Sequence, residues 1–290
     1  MTKFEFEAIG THWQIDIQDN LSGEREVVLL QKINERIADF DITYSRFRSD
    51  SLVTKMSKES GEFELPEDAD LMMTLYKKMY DATSGLVTPL IGQVLVDAGY
   101  DAHYSLVPKH LTKPKKWEDV IVWQNPLLTL SEPTVLDFGA GGKGYLVDIV
   151  CEVIEEEGVE SYCVDAGGDM NYKNTVGEKL KVGLEHPDDT SMVIGVAEIL
   201  DQSLCGSAGN RRKWGNFHHI INPNTLASTQ DVVAVWTIAD TTILADILTT
   251  GLFFVPPETL QQHFQFEYLI VYADYSMKKS VGFNAEIFVS

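Results

Sequence analysis

Apolar side chains recur with two different periods along the chain. Residues 3–18 alternate between apolar and polar side chains around Gly10, which predicts two strands joined by a turn. Segments with a helical period, or with an apolar run of helical length, predict helices at 24–40, 66–83, 146–154 and 245–255. Short β-prone runs predict further strands at 120–123, 127–130, 161–164, 180–185, 192–199, 202–206, 232–238, 268–272 and 281–289.

Helices and strands follow one another here without a regular strand–helix–strand repeat. Such a repeat would indicate a parallel sheet, so the mixture predicts an α+β fold with mostly antiparallel sheets and packed helices. The chain has 290 residues and is 44% hydrophobic, which is enough to bury a core. Residues 105–135 resemble a linker with short strands, but no linker composition divides the chain, and we therefore expect one large domain over residues 1–290.

The chain is strongly acidic, with a formal net charge of −21. This charge disfavours binding to nucleic acids and to anionic membranes. No apolar run reaches the roughly 18 residues of a membrane span, and the first residues show no apolar signal segment, so we expect a cytoplasmic protein. A phosphate ligand would need local cations, which Lys143, residues 211–213 or a metal ion held by carboxylates could supply.

The segment 136–148 contains four glycines within six positions: Gly139, Gly141, Gly142 and Gly144. Each glycine costs about 1 kcal/mol relative to alanine inside a helix, and close approach of the backbone to a ligand is a common reason for accepting this cost. A helix follows the loop, so its N-terminus and Lys143 could bind an anion. The loop matches neither the dinucleotide fingerprint nor the phosphate loop, in which Ser or Thr would replace Tyr145. A glycine-rich turn without a ligand is the alternative.

Asp246 and Thr250 are four residues apart in a predicted helix and should therefore lie on one face. A carboxylate and a hydroxyl in this arrangement suit Mg²⁺, which binds oxygen ligands and usually keeps water or substrate phosphate. The alternative is structural: the carboxylate would stabilise the helix N-terminus, and the threonine would bond back to a carbonyl.

Two adjacent histidines, His218 and His219, precede an apolar pair and a proline turn. Neighbouring side chains of a strand point to opposite faces, so only one of the two can line a given pocket. That histidine could act as a general base near neutral pH. The alternative is one buried and one surface histidine without a catalytic role.

Six motifs, in this order along the chain, resemble those of the FAD:protein FMN transferase family, known as ApbE. The segment from Asp137 to Asp148 is similar to the family motif Asp-x-Gly-x-x-x-Lys-Gly-Tyr-x-x-Asp. The other five motifs resemble, in chain order, a Met-Gly-Thr turn, a Gly-x-Phe-Asp-Pro stretch, a Gly-Gly-Asp turn, a His-x-Ile-Asp-Pro-x-Thr-Gly segment and an Ala-Asp-x-x-x-Thr helix. They stand at residues 9–11, 85–89, 167–169, 219–226 and 245–250.

This resemblance implies a T-fold-related, ApbE-like architecture and a Mg²⁺-dependent enzyme with FAD as its substrate. The enzyme would transfer the FMN moiety to a Thr or Ser hydroxyl of a target protein, which becomes flavinylated, and would release AMP. By the same resemblance, Asp246 and Thr250 would be side-chain metal ligands, Ala140 would contribute a backbone carbonyl, and His219 would be the base. The implied FAD contacts are Asp137 and Lys143, together with Ile9, Phe47, Leu86, Val87, Thr88 and Ile221 along the flavin or adenine site.

The chain departs from the family pattern at four positions. Thr88 and Asn222 stand where the family usually has aspartate, Leu226 replaces a glycine, and Gly142 replaces an alanine. The loss of two acids bears more on the acceptor step than on FAD binding, because the three implied metal ligands are present. Two alternatives therefore stay open: a Mg²⁺-dependent FAD pyrophosphatase that forms FMN and AMP, and a non-catalytic FAD-binding protein.

Overall fold

A computed structural model of the protein describes residues 2–210 and 212–288. Its helices are α1 (Gly23–Tyr44), α2 (Leu52–Met56), α3 (Ala69–Ala82), α4 (Gly92–Asp97), α5 (Trp117–Val120), α6 (Gly142–Glu156), α7 (Thr242–Gly251) and α8 (Pro257–Leu260), with a short 3₁₀ helix at Pro89–Ile91. Within the described ranges, none of these helices has both the length and the apolar character needed to cross a membrane.

The strands make up one large and three small sheets. They are β1 (Thr2–Ala8), β2 (Thr11–Ile17), β3 (Gly61–Glu64), β4 (Ile121–Gln124), β5 (Leu127–Leu130), β6 (Tyr162–Ala166), β7 (Asp169–Lys173), β8 (Leu180–Glu185), β9 (Val193–Ile199), β10 (Gln202–Ala208), β11 (Lys213–Trp214), β12 (Phe217–His218), β13 (Val232–Ala239), β14 (Glu267–Tyr272), β15 (Met277–Lys279) and β16 (Ala285–Ile287). The large sheet has the order β1-β2-β6-β7-β10-β13-β14-β15, and every pairing in it is antiparallel. The predicted α+β class with antiparallel sheets is therefore confirmed.

The large sheet lies between two hydrophobic layers. On one side its side chains pack with the helices, and on the other they pack with the small sheet β16-β9-β8. Successive residues of β13 face opposite layers: Val235 joins the helix-side core, whereas Ala234 and Trp236 join the core beneath the small sheet. A third, smaller cluster contains Tyr100, Trp214 and Ile221 and lies beside the cavities described below.

Most predicted elements are present, but several bounds and some short elements differ. Helix α1 continues past the predicted end to Tyr44, and α7 runs from Thr242 only to Gly251. Strand β7 was not predicted, because every residue from Asp169 to Tyr172 is buried and the apolar alternation that marks a half-exposed strand is missing. The predicted strand 281–289 is limited to β16, and its last residue lies outside the described residues.

Candidate active site

The glycine loop leads into a close contact between helices α6 and α7. A Cβ atom added to Gly144 would lie 2.7 Å from Asp246 Cβ and closer still to the carbonyl oxygen of Thr242. A Cβ atom on Gly141 would lie 3.1 Å from Ile247 Cβ. These two glycines are therefore required for helix packing, and the close approach that they allow is to α7.

Each of these two helices caps the other with a carboxylate. Asp246 of α7 accepts a hydrogen bond from Gly144 N at 2.9 Å, at the start of α6. Asp148 of α6 accepts hydrogen bonds from Thr242 N and Ile243 N, both at 2.8 Å, at the start of α7. The first N–H groups of a helix have no partner inside it, so both carboxylates satisfy otherwise unpaired donors. Burial raises the pKa of Asp148 to about 6, although these N–H groups oppose the rise.

The N-terminus of α6 is therefore less free for an anion than the sequence suggests. Gly141 N donates to Tyr76 Oη at 3.1 Å, and Gly142 N donates to Phe138 O at 2.7 Å. With Gly144 N bonded to Asp246, three N–H groups of the loop already have protein partners. A phosphate at this place would depend mainly on side-chain cations or a metal ion.

Asp246 is the residue that fits a metal best. It is 4% exposed, and burial together with Asp169 raises its pKa well above the usual range. A cation beside it would relieve this cost of ionisation. Thr250 lines the same cavity one helical turn later, and Ala140 lines the adjoining cavity together with Thr250.

Within residues 2–210 and 212–288, no group of three or more His, Cys, Asp or Glu side chains is arranged to hold a metal ion. A single carboxylate with hydroxyl and carbonyl oxygens is nevertheless the donor set of a hard cation that keeps water or substrate phosphate in its shell. The residues present therefore fit Mg²⁺, and fit poorly a metal that needs a closed cage of protein ligands.

Lys143 is held by the second glycine turn. Its ammonium lies 2.5 Å from Asp169 Oδ2 and donates to Ala166 O at 3.1 Å. Asp169 is 1% exposed, and its Oδ1 atom has no hydrogen-bond partner among the described residues. Burial lowers the pKa of Lys143, but the neighbouring carboxylates of Asp169 and Asp246 raise it by more. The net pKa is above its usual value, and the ammonium stays charged.

Asp137 is paired with Arg46, an arginine that lies in none of the sequence motifs. Arg46 Nε donates to Asp137 Oδ2, and Arg46 Nη1 donates to Tyr100 O at 2.7 Å. The guanidinium lies 4.2 Å from the ring centroid of Phe47 and 4.9 Å from that of Tyr100. Its Nη2 atom is buried and has no hydrogen-bond partner in the described part of the chain. Only the neighbouring Phe47 could have drawn attention to this residue in the sequence.

The two histidines have different surroundings. His218 is 7% exposed; its Nε2 donates to Thr229 O at 2.7 Å, and its Nδ1 accepts from Ile220 N at 3.2 Å. The Nδ1 atom of His219 is buried without a hydrogen-bond partner among the described residues, and this side chain lines the cavities. Burial, with smaller contributions from Arg212 and His218, lowers the pKa of His219 to about 3. His219 is therefore neutral at neutral pH.

Three adjoining cavities meet at Gly139 and Arg212, which line all of them. Cavity A, of about 500 Å³, contains Asp246 and Asp169 on its wall. Cavity B, of about 100 Å³, and cavity C, of about 600 Å³, share Phe47, Tyr100 and Asp137.

All twelve residues that the family resemblance assigns to the site line at least one of these cavities, whereas the alternative histidine, His218, lines none of the three. Cavity A is lined by Lys143, His219, Asp246 and Thr250. Cavity B is lined by Phe47, Leu86, Val87, Thr88, Asp137, Ala140, His219, Ile221 and Thr250, and cavity C by Ile9, Phe47, Asp137 and Lys143. The fold thus brings together residues that are up to about 240 positions apart in the chain.

Two of the departures from the family pattern serve the local backbone. Thr88 accepts a hydrogen bond from Leu90 N at 3.2 Å and so caps the 3₁₀ helix. Asn222 accepts from Asn224 N at 2.8 Å and from Thr225 N at 3.2 Å, the hydrogen bonds that an aspartate would also make in such a turn. Leu226, at the glycine position, has a φ of 59°. That left-handed conformation explains why glycine would be the easier residue there.

Comparison with known proteins gives a consistent result. The ApbE family model matches residues 9–270. The chain is 23% identical to the FAD:protein FMN transferase of Escherichia coli (strain K12), over 94% of this chain and 83% of that protein. It is 22% identical to the FAD:protein FMN transferase of Treponema pallidum (strain Nichols), over 94% of this chain and 85% of that protein.

Two solved structures share the fold. The flavin transferase ApbE from Vibrio cholerae superimposes with a TM-score of 0.80 and 18% identity, over 96% of each chain. The ApbE protein from Thermotoga maritima superimposes with a TM-score of 0.84 and 19% identity, over 97% of each chain.

Proposed function

This chain belongs to the ApbE family, and from that premise we propose that it is a Mg²⁺-dependent flavin transferase. It would move the FMN moiety of FAD onto a Thr or Ser hydroxyl of a target protein and release AMP. The observation that carries this proposal is that a buried carboxylate, an imidazole nitrogen without a hydrogen-bond partner among the described residues, and two cavities lined by aromatic rings lie around Gly139 and Arg212.

Cavities B and C would receive the two ring systems of FAD. Their shared wall contains the aromatic side chains of Phe47 and Tyr100, and aromatic faces favour stacked rings. Leu86, Val87 and Ile221 add apolar surface to cavity B. The diphosphate that joins the two halves of FAD would then lie near the junction of the cavities, where Arg212 and Lys143 supply positive charge.

The reaction needs a proton acceptor for the target hydroxyl. The oxygen of the target hydroxyl would form a bond to the phosphorus of the FMN half. The bond from that phosphorus to the bridging oxygen of the AMP phosphate would break. His219 Nδ1 would accept the hydroxyl proton, and AMP would leave with the bridging oxygen. A nearby diphosphate stabilises the imidazolium, so substrate binding would raise the pKa of His219 from its low value in the free protein.

Asp246, Thr250 and the carbonyl of Ala140 would hold the metal ion. When bound, Mg²⁺ supplies positive charge against the diphosphate and polarises the phosphorus. This contribution matters in a chain of net charge −21, which repels a polyphosphate at long range.

The test is the incubation of this protein with FAD, Mg²⁺ and a domain that the Escherichia coli relative flavinylates. Mass spectrometry of that domain should show a gain equal to FMN minus one water. Absence of the adduct, with FAD shown to bind, would contradict transferase activity. Release of FMN and AMP without any acceptor would instead indicate a pyrophosphatase, and retention of intact FAD with no turnover would indicate a flavin carrier.

A further inference from the structure

Cavity A continues beyond Asp246 and His219 along the edge of strand β10. Its wall there contains Gly206 and Ala208 of β10, the turn at Gly167-Gly168, and Trp236 of β13. The proposed function places the rings of FAD in cavities B and C, so this part of cavity A, which His219 also lines, is not assigned to FAD.

Among the described residues, one side of β10 loses its strand partner before the strand ends. β10 pairs with β7 only from Gln202 to Cys205, whereas it pairs with β13 as far as Ala208. Gly209 N donates to Val233 O at 3.1 Å, which continues the β10–β13 register by one residue. Hydrogen-bonding residues alternate along an antiparallel strand, so the N–H and C=O groups of Gly206 and Ala208 point away from β13.

Those groups therefore point to the side where β7 has ended, and neither residue has a strand partner there within the described residues. A strand edge of this kind accepts an extended polypeptide through main-chain hydrogen bonds. Trp236 covers one face of Gly206, because a Cβ atom added there would lie 2.9 Å from its Nε1 atom, so a neighbour would contact the main chain at the open edge. A Cβ atom added to Gly168, at the turn, would meet no atom within 4 Å.

A second, independent feature of the same wall points to a polar ligand. Asp169 is 1% exposed, lines cavity A, and has an Oδ1 atom without a hydrogen-bond partner among the described residues. Buried carboxylate oxygens are normally satisfied, and a backbone N–H or hydroxyl of a bound chain would satisfy this one.

We infer that the protein acceptor enters cavity A as an extended segment and pairs with Gly206 and Ala208, continuing the large sheet where β7 ends. This inference rests on the proposed transferase function. The paired segment would bring a Thr or Ser hydroxyl next to His219, from the side opposite the FAD cavities. Recognition through the main chain constrains the conformation of the acceptor more than its sequence, so the acceptor site must be an extended or locally unfolded segment.

The test compares Ala208→Pro with Ala208→Gly. Proline lacks the N–H that faces cavity A and removes no N–H from the β10–β13 ladder, while glycine keeps the N–H. With the acceptor domain of the Escherichia coli relative, Ala208→Pro should raise the KM for that domain about tenfold and leave FAD affinity within about twofold. Ala208→Gly, which keeps the N–H, should raise that KM far less than Ala208→Pro does. An unchanged acceptor KM, or a loss of FAD affinity in its place, would overturn the inference.

A second measurement needs no variant and covers the case in which Ala208→Pro does not fold. A peptide of about ten residues around the acceptor hydroxyl is compared with copies that carry one N-methylated backbone amide each, with binding read by fluorescence anisotropy. Methylation at alternate positions should weaken binding, as expected for one edge of a paired strand. Equal binding of all copies would refute the pairing. If the wild type forms no flavin adduct, the proposed function fails, and this binding assay still decides the pairing separately.

Discussion

Arg46 and Asp137 form an ion pair in the wall of cavity C, although 91 positions separate them in the chain, and Asp137 also lines cavity B. Their side chains are only 5% and 11% exposed. The pair fixes the carboxylate that the family resemblance assigns to FAD, and Arg46 Nη2 has no hydrogen-bond partner within residues 2–210 and 212–288.

We expect Arg46→Lys to weaken FAD binding by about tenfold or more. A lysine can replace the charge, but it cannot contact Asp137 and the Tyr100 carbonyl while it also presents a planar face to Phe47. The measurement is a titration with FAD followed by tryptophan fluorescence. Arg36→Lys is the control, since Arg36 is a surface residue paired with Asp68. Equal FAD affinity in all three proteins would remove Arg46 from the binding site.

Asp246→Asn should lower the metal-dependent transfer rate by at least about a hundredfold while FAD affinity changes less. The amide keeps the shape of the side chain and an acceptor for Gly144 N, but it lacks the charge that would hold the cation. The metal acts mainly on charge that develops in the transition state, so the rate should suffer more than binding. Rates are measured against Mg²⁺ concentration, with the exposed Asp240→Asn as control. Wild-type turnover in Asp246→Asn would exclude this residue as a ligand.

His219→Ala should reduce the transfer rate by about 10²–10⁴-fold, the usual contribution of a general base. His218→Ala should act differently, because the imidazole of His218 bonds to the backbone at Thr229 and Ile220. That substitution should lower the thermal unfolding midpoint and affect the rate less. Parallel measurements of kcat and Tm separate the two roles, and an equal loss of rate in both variants would show that the choice of His219 was wrong.

The depressed pKa of His219 also predicts a pH dependence of stability. In the unfolded chain this imidazole takes up a proton near pH 6.5, but in the folded protein its pKa is about 3. The contribution of neutral His219 to the free energy of unfolding is therefore fully present above pH 6.5 and is lost progressively as the pH falls toward 3. Between pH 7 and pH 4 the free energy of unfolding of the wild type should fall by up to about 3 kcal/mol more than that of His219→Gln. Urea unfolding of both proteins at several pH values measures the difference. If the free energies of unfolding of the two proteins changed equally with pH, the depressed pKa of His219 would be wrong.

Gly144→Ala should destabilise the fold by about 1–3 kcal/mol, as expected for overpacking of a tight contact. The new methyl group would collide with α7, at the carbonyl of Thr242 and at Asp246 Cβ. The matched control is Gly23→Ala at the start of α1, where an added Cβ meets no atom within 4 Å. Thermal unfolding with and without FAD checks the effect, and a neutral Gly144→Ala would show that the helices can separate without cost.

The parts of the site that could be predicted are those carried by short-range patterns. The spacing of Asp246 and Thr250 on one helix was visible in the sequence, and the structure places both on the wall of cavity A. The metal and catalytic roles of these residues remain predictions. The glycine loop was recognised, but two of its glycines turn out to serve the packing of α6 on α7.

The parts that could not be predicted depend on contacts between distant segments. No local spacing relates Arg46 to Asp137, or Asp148 to the start of α7. Strand β7 was missed because it is buried along nearly its whole length, so the end of its pairing with β10, and the free edge beyond it, could be found only in three dimensions.

The mutual capping of α6 and α7 has a consequence for the energetics of catalysis. The carboxylate proposed to hold the cation is already fixed by the fold, since Asp246 accepts a hydrogen bond from Gly144 N of the neighbouring helix. The Asp246 side chain therefore has little conformational freedom left to lose when a metal ion or substrate binds. The entropy cost of ordering this side chain has already been met during folding. Substrate binding energy is thereby left available to orient the reacting phosphorus.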